Sequence, residues 1–546
     1  MDVVNCFLYL LISTLTLINN AVSQREPLVT VAQGSLRGLI KNDQDGNKFY
    51  SFTGIPYAKP PVGPRRFKVS EPPSSWDGVR NATVEGSACL QYDDTKNTTV
   101  GKEDCLYLNV YTRDLPDKGT KPKPVMFWIH GGSFISGDGG SFYGPDFLLT
   151  QDIVLVTVNY RLGFLGYIQA KGIPGNLGFK DQIVAMKWVK NNIRVFNGDP
   201  NQVTIFGESS GSASVHYHVL SPLTRGLFQR AILESGTALN PWGDYSYHDI
   251  VKVAKTANPS ITTEEQAAEY FRNLPSDEIL RLQNTITSSR NVGGPYVFAL
   301  NIEKPSRDAF ISRNIIDILT SGEYNKVPLL IGFNDREGIL DEVVRELENE
   351  TVTAKNFIPH NIDFHGNETL RQIYIKKFND FYLSTPDRDS YIKAYSDTMF
   401  VAGIFGTVKN HIKTCNKKVF LYKFAGDTGL NYIKVAVNVT DIPGASHGDE
   451  LGYLFKTTST PNIQPGSVED KSWRRMVKLW TNFAKYGNPT PNASDLGVVW
   501  TPVDLSQWNL LHIENSGLTM KSNTETRTIE FWADLYHQSR NTINYL

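Results

Sequence analysis

Short apolar runs alternate along the chain with segments whose apolar residues recur at helical spacing. The runs are rich in Val, Ile, Leu and Phe, which is typical of strands buried on both faces of a parallel sheet. We predict strands at residues 125–129, 153–158, 203–206, 231–233, 327–333 and 419–424. Helical patterns cover Asp181–Val195 and Trp473–Tyr486, and Gly487-Asn488-Pro489 ends the second. The pattern therefore predicts an α/β fold with a large, mostly parallel central sheet flanked by helices.

The region from Ile250 to Asn325 interrupts this alternation because its pattern is mostly helical. We expect it to form a cap or a lateral insertion beside the sheet. No Gly/Ser-rich or Pro-rich linker and no internal repeat divides the 546 residues, of which 40% are hydrophobic. We therefore interpret residues 24–546 as a single domain with one large core.

The charge balance argues against some classes of partner. The chain has 55 Lys and Arg residues against 56 Asp and Glu residues. A near-neutral protein has little electrostatic attraction for nucleic acid or for an anionic membrane surface. We therefore expect no nucleic-acid partner, and the sequence does not indicate an oligomeric state.

The first residues have the pattern of a secretory signal peptide. Phe7–Ile18 is apolar and Ala21-Val22-Ser23 offers small residues for cleavage, so we predict a signal over residues 1–23. One observation counts against it, because Met1–Asn5 has no Lys or Arg. A membrane anchor is the alternative, but it needs about 20 apolar residues, more than this stretch or any later one has. We therefore expect a secreted protein without a stable membrane anchor.

Asn-x-Ser/Thr sequons agree with secretion, because each can accept an N-linked glycan. They are Asn81, Asn97, Asn349, Asn367, Asn438 and Asn492. Every one of them must lie on the surface if it carries a glycan.

The cysteines are few. Cys6 leaves with the signal, so Cys89, Cys105 and Cys415 remain. The segment between Cys89 and Cys105 is polar and bears a sequon, which suits a small disulfide loop worth about 3 kcal/mol. Cys415 is then an unpaired thiol, with an intermolecular bridge as the alternative.

The strongest chemical motif is Gly207-Glu208-Ser209-Ser210-Gly211. It follows the predicted strand 203–206 and precedes a helix-like stretch, Ser212–Leu220. A strand, then Gly-x-Ser-x-Gly, then a helix is the pattern of a nucleophile elbow. The turn is sharp enough that glycine is needed at both ends. Ser209 is therefore the candidate nucleophile.

A serine hydroxyl needs a base, usually a histidine held by a carboxylate, and after such an elbow the order is Ser, acid, His. His130 precedes Ser209, while His216 and His218 follow it too closely on the same helix. His512 lies in an apolar run and looks structural. His447, in a loop of small residues, is the best candidate base.

The acid should follow a strand between Ser209 and His447. The strand 327–333 is followed by Asn334-Asp335-Arg336-Glu337-Gly338. Glu337 is the favoured acid and Asp335 is the rival, and their spacing alone does not separate them.

Backbone N–H donors are needed where negative charge develops on the substrate. Trp128–Phe134 follows a strand and contains the pair Gly131-Gly132, whose missing Cβ atoms let the backbone approach a substrate. This turn lacks the lysine of a phosphate-binding loop. We interpret it as a candidate oxyanion turn, with a plain loop as the alternative.

Several motifs together resemble the type-B carboxylesterase and cholinesterase-like family of α/β-hydrolases. They are Ser51–Ala58, Glu103–Val110, Trp128–Phe134, Asn159–Phe164, Phe206–Gly211 and Gly444–Glu450. The likeness covers nearly the whole mature chain, from Pro27 to Trp532. It implies the α/β-hydrolase fold and hydrolysis of small carboxylic esters, with no metal and no organic cofactor.

The resemblance also implies a role for each candidate residue. Ser209 is similar to the family's nucleophile and His447 to its base. Glu337 is favoured over Asp335 because the family's acid precedes a glycine in an Asn-x-x-Glu-Gly setting. The implied oxyanion donors are the backbone N–H groups of Gly132, Ser133 and Ser210.

Departures from the family narrow the expected activity. Ser133 and Ser210 stand where relatives often carry Gly and Ala, but backbone donors should survive such changes. The implied Cys89–Cys105 loop has no choline-binding tryptophan, which counts against a cholinesterase. Glu208 stands where juvenile-hormone esterases usually have Gln, which counts against that activity. The resemblance points to secreted insect-type carboxylesterases, including those that clear odorant, pheromone or xenobiotic esters.

Three other functional classes stay open as alternatives. They are a juvenile-hormone-type esterase, a lipase acting at oil–water surfaces, and a non-catalytic adhesion relative. Nothing marks an amphipathic lid, and adhesion relatives usually carry a membrane segment or stalk and have lost the nucleophile. The intact Ser209, Glu337 and His447 favour an enzyme.

Overall fold

The computed structural model describes residues 26–93, 98–140, 142–246, 249–287 and 297–538. The predicted signal peptide and the sequon at Asn97 lie outside these residues. The described strands are β1 (Leu28–Val31), β2 (Gly34–Arg37), β3 (Leu39–Asn42), β4 (Lys48–Pro56), β5 (Val79–Asn81), β6 (Gln91–Asp93), β7 (Thr98–Val100), β8 (Tyr107–Thr112), β9 (Lys123–Ile129), β10 (Val154–Val158), β11 (Gly198–Glu208), β12 (Arg230–Glu234), β13 (Leu329–Asn334), β14 (Val419–Ala425), β15 (Asn509–Glu514) and β16 (Gly517–Ser522).

A central sheet of eleven of these strands has the order β16-β15-β14-β13-β12-β11-β9-β10-β8-β4-β3. Every pairing from β10 through β15 is parallel. Antiparallel strands extend both edges, β16 at one and β8, β4 and β3 at the other. The large, mostly parallel sheet predicted from the apolar runs is therefore confirmed, and each predicted strand falls in one of β9 to β14.

The apolar runs are continuous because both faces of the sheet are covered. In β9, Val125, Phe127 and Ile129 pack into one hydrophobic cluster, whereas Met126 and Trp128 pack into another on the opposite face. Successive side chains of a strand alternate between faces, so a strand between two helical layers needs apolar residues at every position.

Helices lie between the strands in the chain and form the layers that cover the sheet. The described helices are Gly163–Tyr167, Leu177–Asn192, Ser210–Leu220, Ile250–Ala257, Glu264–Asn273, Ser276–Thr287, Ile315–Ser321, Ile339–Leu347, Glu368–Tyr382, Arg388–Ser396, Ala402–Thr414, Tyr432–Ala436, Val468–Tyr486, Ala493–Leu496 and Thr526–Gln538. A π-helical turn spans Asp397–Val401, and short 3₁₀ turns occur at Gly63–Arg65, Leu148–Thr150, Ile193–Phe196, Pro222–Thr224, Pro241–Gly243, Ala354–Phe357 and Asp449–Tyr453.

The predicted helices are present with shifted ends. The first spans Leu177–Asn192 and passes into a 3₁₀ turn, and the second spans Val468–Tyr486. The second helix ends where predicted because Gly487 takes the left-handed conformation, with φ 65°.

The described residues of the region, 250–287 and 297–325, are mostly helical, as expected, and they pack beside the sheet. Gln283 Oε1 accepts a hydrogen bond from the Phe164 N–H at 3.0 Å, and Asn301 Nδ2 donates to Tyr167 O at 2.7 Å. These contacts join the insertion to the segment that follows β10. The description as a lateral insertion fits these contacts.

The parallel strands bring their carboxyl ends to one edge of the sheet. Glu208 at the end of β11 lies beside Glu234 of β12, and Asn334 at the end of β13 lies beside Phe424 of β14. Ligand sites of open α/β sheets form at this edge. The loops that follow β11, β13 and β14 therefore carry the candidate site.

Candidate active site

Ser209 lies in a sharp turn between β11 and the helix Ser210–Leu220. Its backbone has φ 58° and ψ −126°, a conformation that residues with side chains rarely adopt. Neighbouring backbone comes so close that a Cβ on Gly207 would lie 2.5 Å from Ile129 O, and one on Gly211 would lie closer still. The strand–turn–helix and both flanking glycines therefore have the geometry of a nucleophile elbow.

Three side chains from separate loops meet at this turn. The Ser209 Oγ is 2.8 Å from His447 Nε2, and His447 Nδ1 is 2.8 Å from Glu337 Oε2. A carboxylate only accepts, so Nδ1 carries the ring proton and Nε2 is left to accept from the serine hydroxyl. The second carboxylate oxygen, Glu337 Oε1, accepts the Asn334 N–H at 2.7 Å. The three groups therefore form a continuous chain of hydrogen bonds.

The two acids that spacing left unresolved have different partners. Glu337 is fully buried and contacts the His447 ring. Asp335 Oδ1 instead accepts the Ala445 N–H at 2.8 Å, in the loop that leads to His447. Asp335 therefore holds the backbone of this loop at Ala445, whereas Glu337 is placed to orient the His447 imidazole.

The histidines that chain order set aside have other partners. His216 Nε2 is 3.2 Å from His411 Nε2, and His218 Nε2 is 2.7 Å from Gln182 Oε1. Burial lowers the pKa of His218 to about 3, so this ring stays neutral in the core. The ring of His130 stacks on Tyr160, with centroids 4.3 Å apart.

The glycine-rich turn after β9 lies against the nucleophile. A Cβ on Gly131 would lie 3.1 Å from the Ser209 Cβ. Gly132 and Ser133 both have positive φ, at 106° and 54°. Neither of their N–H groups donates a hydrogen bond to another residue in the described ranges. The turn therefore offers backbone donors beside the serine.

Ser210 begins the helix after the elbow, where an N–H group has no helical acceptor. Its side chain also holds the turn, because Ser210 Oγ accepts the Phe134 N–H at 3.3 Å. The hydroxyl that distinguishes this chain from relatives with Ala thus ties the two candidate donor segments together.

Glu208 was not identified as part of this site from the sequence. Its carboxylate oxygen Oε1 is 3.2 Å from His447 Nε2, the nitrogen that faces Ser209, and it has no hydrogen-bond donor among the described residues. Burial raises the pKa of Glu208 to about 7, although the nearby imidazole opposes this. The available signals were its position beside Ser209 and its departure from the Gln that the resemblance to juvenile-hormone esterases implies.

Carboxylates dominate the electrostatics around His447. Burial by itself lowers the pKa of His447, but the carboxylates of Glu208, Glu337 and Glu450 outweigh it and raise that pKa above its usual value. Glu450 accepts from Asn334 Nδ2 and, at 3.3 Å, from Ser235 Oγ. The surroundings therefore favour the imidazolium that forms when serine loses its proton.

Replacing Glu208 with Gln is expected to move the acid limb of the kcat/KM profile to lower pH. His447 must be neutral to accept a proton, so activity rises as the pH passes the pKa of its imidazolium. The Glu208 anion raises that pKa, and an amide removes the charge while keeping the shape. We expect a downward shift of about one pH unit, measured with p-nitrophenyl acetate.

Glu234→Gln is the matched control for this change. Glu234 is another buried carboxylate, but its Oε1 accepts from Trp480 Nε1 at 2.9 Å. It is not among the groups that shift the pKa of His447. The control should leave the acid limb in place, and an unchanged or upward-shifted limb in Glu208→Gln would contradict the assigned electrostatics.

Two aromatic rings lie beside His447 and Ser209. The Phe400 ring lies against His447 with centroids 4.3 Å apart, and Trp242 is 6.0 Å from Phe400. A Cβ on Gly236 would meet both Ser209 O and, at 2.8 Å, the tip of the Trp242 ring. Trp242 Nε1 donates to Met399 O at 2.8 Å and so holds the π-helical turn that carries Phe400.

The disulfide expected from the sequence is present, between Cys89 and Cys105. Gln91 inside this loop exchanges two hydrogen bonds with Gly137, one donated by Gln91 Nε2 at 2.9 Å and one by the Gly137 N–H at 2.7 Å. The loop thus supports the segment that follows the glycine-rich turn. Cys415 is a buried free thiol.

Comparison with known proteins agrees with this architecture. The sequence profile of the Carboxylesterase family matches residues 25–532. The chain is 32% identical to a juvenile hormone esterase of Tribolium castaneum, covering 94% of both chains. It is 34% identical to esterase FE4 of Myzus persicae, covering 92% of this chain and 91% of that one.

A solved structure shows the same fold. The crystal structure of juvenile hormone esterase from Manduca sexta, with OTFP covalently attached, superposes with a TM-score of 0.82 at 27% identity. It covers 94% of this chain and 100% of that chain. The fold is the α/β-hydrolase fold. The chain belongs to the carboxylesterase family, and it is a carboxylic ester hydrolase.

Proposed function

We propose that this protein is a secreted serine carboxylesterase in which Ser209, His447 and Glu337 form the catalytic triad. The observation that carries this proposal is the unbroken path from Ser209 Oγ through both His447 nitrogens to Glu337, each step 2.8 Å long. The ester hydrolase class fits this chemistry, since acyl transfer is what an activated serine performs.

In the acylation step, Ser209 Oγ attacks the ester carbonyl while His447 Nε2 takes the hydroxyl proton. Glu337 holds the Nδ1–H tautomer and stabilises the imidazolium without itself becoming protonated. The N–H groups of Gly132, Ser133 and Ser210 would stabilise the oxyanion of the tetrahedral intermediate. His447 then returns the proton to the leaving alcohol, and an acyl-serine remains.

In the deacylation step, a water molecule replaces the alcohol and His447 takes its proton as the water attacks the acyl carbonyl. The Ser209 oxygen leaves with that proton, which frees the carboxylic acid. No step requires a metal or an organic cofactor. An organophosphate tests the central claim, because only an activated serine reacts stoichiometrically, and Ser209 should carry the label.

The residues around Ser209 and His447 support a proposal for the substrate class. Phe400 packs against the His447 ring, Trp242 lies beside the Ser209 backbone, and the Glu208 carboxyl group faces His447 Nε2. We propose small, uncharged esters of short acids, a class that includes odorant, pheromone and xenobiotic esters. Esters that carry a carboxylate would meet like charge.

Trp242→Phe is expected to shift the acyl preference towards longer chains. The change removes the ring tip that lies over Gly236 and so leaves space beside the Ser209 backbone. We expect the ratio of kcat/KM for p-nitrophenyl hexanoate to that for the acetate to rise about tenfold, the lower end of the range for one methylene in a hydrophobic pocket. Trp188→Phe, a buried tryptophan of the helix Leu177–Asn192, is the control and should leave the ratio unchanged. A falling ratio in Trp242→Phe would contradict the placement of the acyl group.

A juvenile-hormone-type esterase is the second candidate function. The likeness to juvenile hormone esterases of Tribolium castaneum and Manduca sexta favours it, and Glu208 in place of Gln counts against it. Competing juvenile hormone against p-nitrophenyl acetate decides between them, because a dedicated enzyme would be inhibited at low hormone concentration. Emulsified triglyceride in the same assay tests the lipase alternative.

Secretion is supported by the surface position of the sequons. Within the described ranges, Asn81, Asn349, Asn367, Asn438 and Asn492 are all exposed. None of the helices in these ranges combines the length and the apolar character that crossing a bilayer requires. Expression in insect cells should yield enzyme in the medium, and removal of N-glycans should lower its mass.

A further inference from the structure

The loop that carries His447 has no regular secondary structure, yet its backbone is held at every step. Gly444 N–H donates to Asp427 Oδ2 at 2.9 Å, and Gly444 O accepts from Lys434 Nζ at 2.8 Å. Ala445 N–H donates to Asp335, and His447 N–H donates to Glu337 O at 3.1 Å. Side chains and one backbone carbonyl therefore position the loop, rather than the hydrogen bonds of a helix or strand.

Lys434 is the unusual member of this set because its side chain is fully buried, at 0% exposure. Its ammonium contacts Asp427 Oδ1 at 2.8 Å and the Gly444 carbonyl. A buried ammonium is costly unless it is paired and hydrogen-bonded. The Asp427 carboxylate pairs with this ammonium, and the Gly444 carbonyl accepts a hydrogen bond from it. These two groups belong to different segments of the chain, so the ammonium links the segments.

The segments that Lys434 joins are the ones that place the base. Asp427 follows the end of β14, and Gly444 lies three residues before His447. Asp449 adds a second tie, because its Oδ1 accepts the Lys434 N–H and its Oδ2 accepts the Ser446 N–H, at 2.9 Å and 2.7 Å. These contacts therefore tie the short helix Tyr432–Ala436 and the loop to the strand end.

We propose that Lys434 and Asp427 form a positioning clamp that sets the place of the His447 ring between Ser209 and Glu337. The clamp consists of the Lys434 ammonium, the Asp427 carboxylate and both polar backbone groups of Gly444. This inference rests on the proposed role of His447 as the base. Contacts of 2.8 Å on both sides of the ring leave little tolerance, since a shift of about 1 Å in a reacting group can cost a hundredfold in rate.

Lys434→Met tests the clamp, because methionine keeps the length of the side chain and removes its charge. Enzyme concentration is set by labelling active sites to completion with diethyl p-nitrophenyl phosphate, so unfolded protein is not counted. We expect kcat per labelled site on p-nitrophenyl acetate to fall at least about tenfold, with KM within about twofold, because the base and not the binding surface is displaced.

Lys180→Met is the matched control. Lys180 is a buried lysine whose Nζ contacts Glu303 Oε1 at 2.8 Å, and it lies in the helix Leu177–Asn192, away from the loop that carries His447. This change removes a comparable buried ion pair and should lower the melting temperature. The control should keep kcat per labelled site within about twofold of the parent enzyme, as expected for a purely structural pair.

A second readout does not depend on activity. The proton between His447 Nδ1 and Glu337 should give a far-downfield proton NMR signal in the parent enzyme. We expect that signal to shift or disappear in Lys434→Met and to persist in Lys180→Met. If Lys434→Met does not fold, Asp427→Asn takes its place, because the Asp427 side chain is 34% exposed and tolerates change better.

The clamp would be overturned if Lys434→Met or Asp427→Asn kept the wild-type kcat per labelled site and also the wild-type downfield signal. Failure of the triad itself gives a different result, in which Ser209→Ala keeps its activity whatever residue stands at position 434. The two outcomes are therefore distinguishable.

Discussion

Ser209→Ala should lower kcat on p-nitrophenyl acetate by about 10⁶, the loss seen when the serine of a comparable triad is removed. The expected loss is large because, in the proposed triad, the hydroxyl is both the group that bonds to the acyl carbon and the group that His447 activates. The residual rate should come from the backbone donors and substrate binding alone. Organophosphate labelling of the intact protein, followed by mass spectrometry, should change from one label per chain to none.

Ser214→Ala is the control for this substitution. Ser214 is buried one turn further along the same helix, where its Oγ donates to Ser210 O at 2.8 Å. Loss of that bond should cost about 1 kcal/mol of stability and leave labelling intact. If Ser209→Ala still hydrolysed the ester at near wild-type rate, Ser209 would not be the nucleophile.

Glu337→Gln is expected to lower kcat by about 10⁴, as when the carboxylate of a triad becomes an amide. In the wild type, one carboxylate oxygen accepts from His447 Nδ1 and the other from the Asn334 N–H. A glutamine has one acceptor and one donor end. If its oxygen serves Asn334, its amide N–H faces Nδ1 and leaves the ring proton on Nε2, where it blocks the transfer from serine. If the amide is flipped, two N–H donors face each other at Asn334.

Asp335→Asn tests whether the loss of activity in Glu337→Gln comes from a misoriented imidazole or from the removal of any carboxylate near it. Asp335 contacts the Ala445 N–H and not the imidazole. Its substitution should lower kcat by less than about tenfold, because one neutral acceptor can replace the carboxylate at a backbone N–H. A larger loss in Asp335→Asn than in Glu337→Gln would reverse the assignment of the acid. Single-turnover measurements would show whether acylation or deacylation is affected.

The clustered acids explain why the substitutions at positions 208 and 337 should behave differently. Both carboxylates contact His447, but on opposite nitrogens. In the proposed triad Glu337 selects the tautomer, so its loss should lower the maximal rate. Glu208 mainly adds charge beside Nε2, so its loss should change the pH at which the base becomes neutral more than the maximal rate.

The central strands were predictable because their environment is uniform along their length. A strand such as β9, covered on both faces, needs apolar side chains at each position and therefore stands out in the sequence. The edge strand β16, Gly517–Ser522, was not predicted, because partial exposure removes the need for apolar residues. Its pairing with β15 depends on a neighbour and not on its own composition.

The elbow was predictable for a similar reason. The geometry at Ser209 depends on residues within two positions of it. Gly207 and Gly211 are visible in the sequence because a Cβ at either position would clash with neighbouring backbone. The choice between Glu337 and Asp335 is different, because both follow the same strand within three residues. Both contact the same loop 110 residues later, so the choice depends on which side chain contacts the His447 ring and which contacts the backbone. Only the resemblance to a family favoured Glu337 beforehand.

By itself the sequence determined the α/β class, the main strands, the turn at Ser209 and the pair of cysteines that form a small loop. These features arise from residues close together in the chain, because local burial and local backbone geometry restrict which residue types can stand there. Only the tertiary structure decided that Glu208 and Phe400 lie against His447, and that Lys434 ties down its loop. Ser209 and His447 are 238 residues apart, and His447 and Glu337 are 110 apart. Contacts of that separation depend on how the strands are ordered in the sheet, which no local pattern of residues encodes.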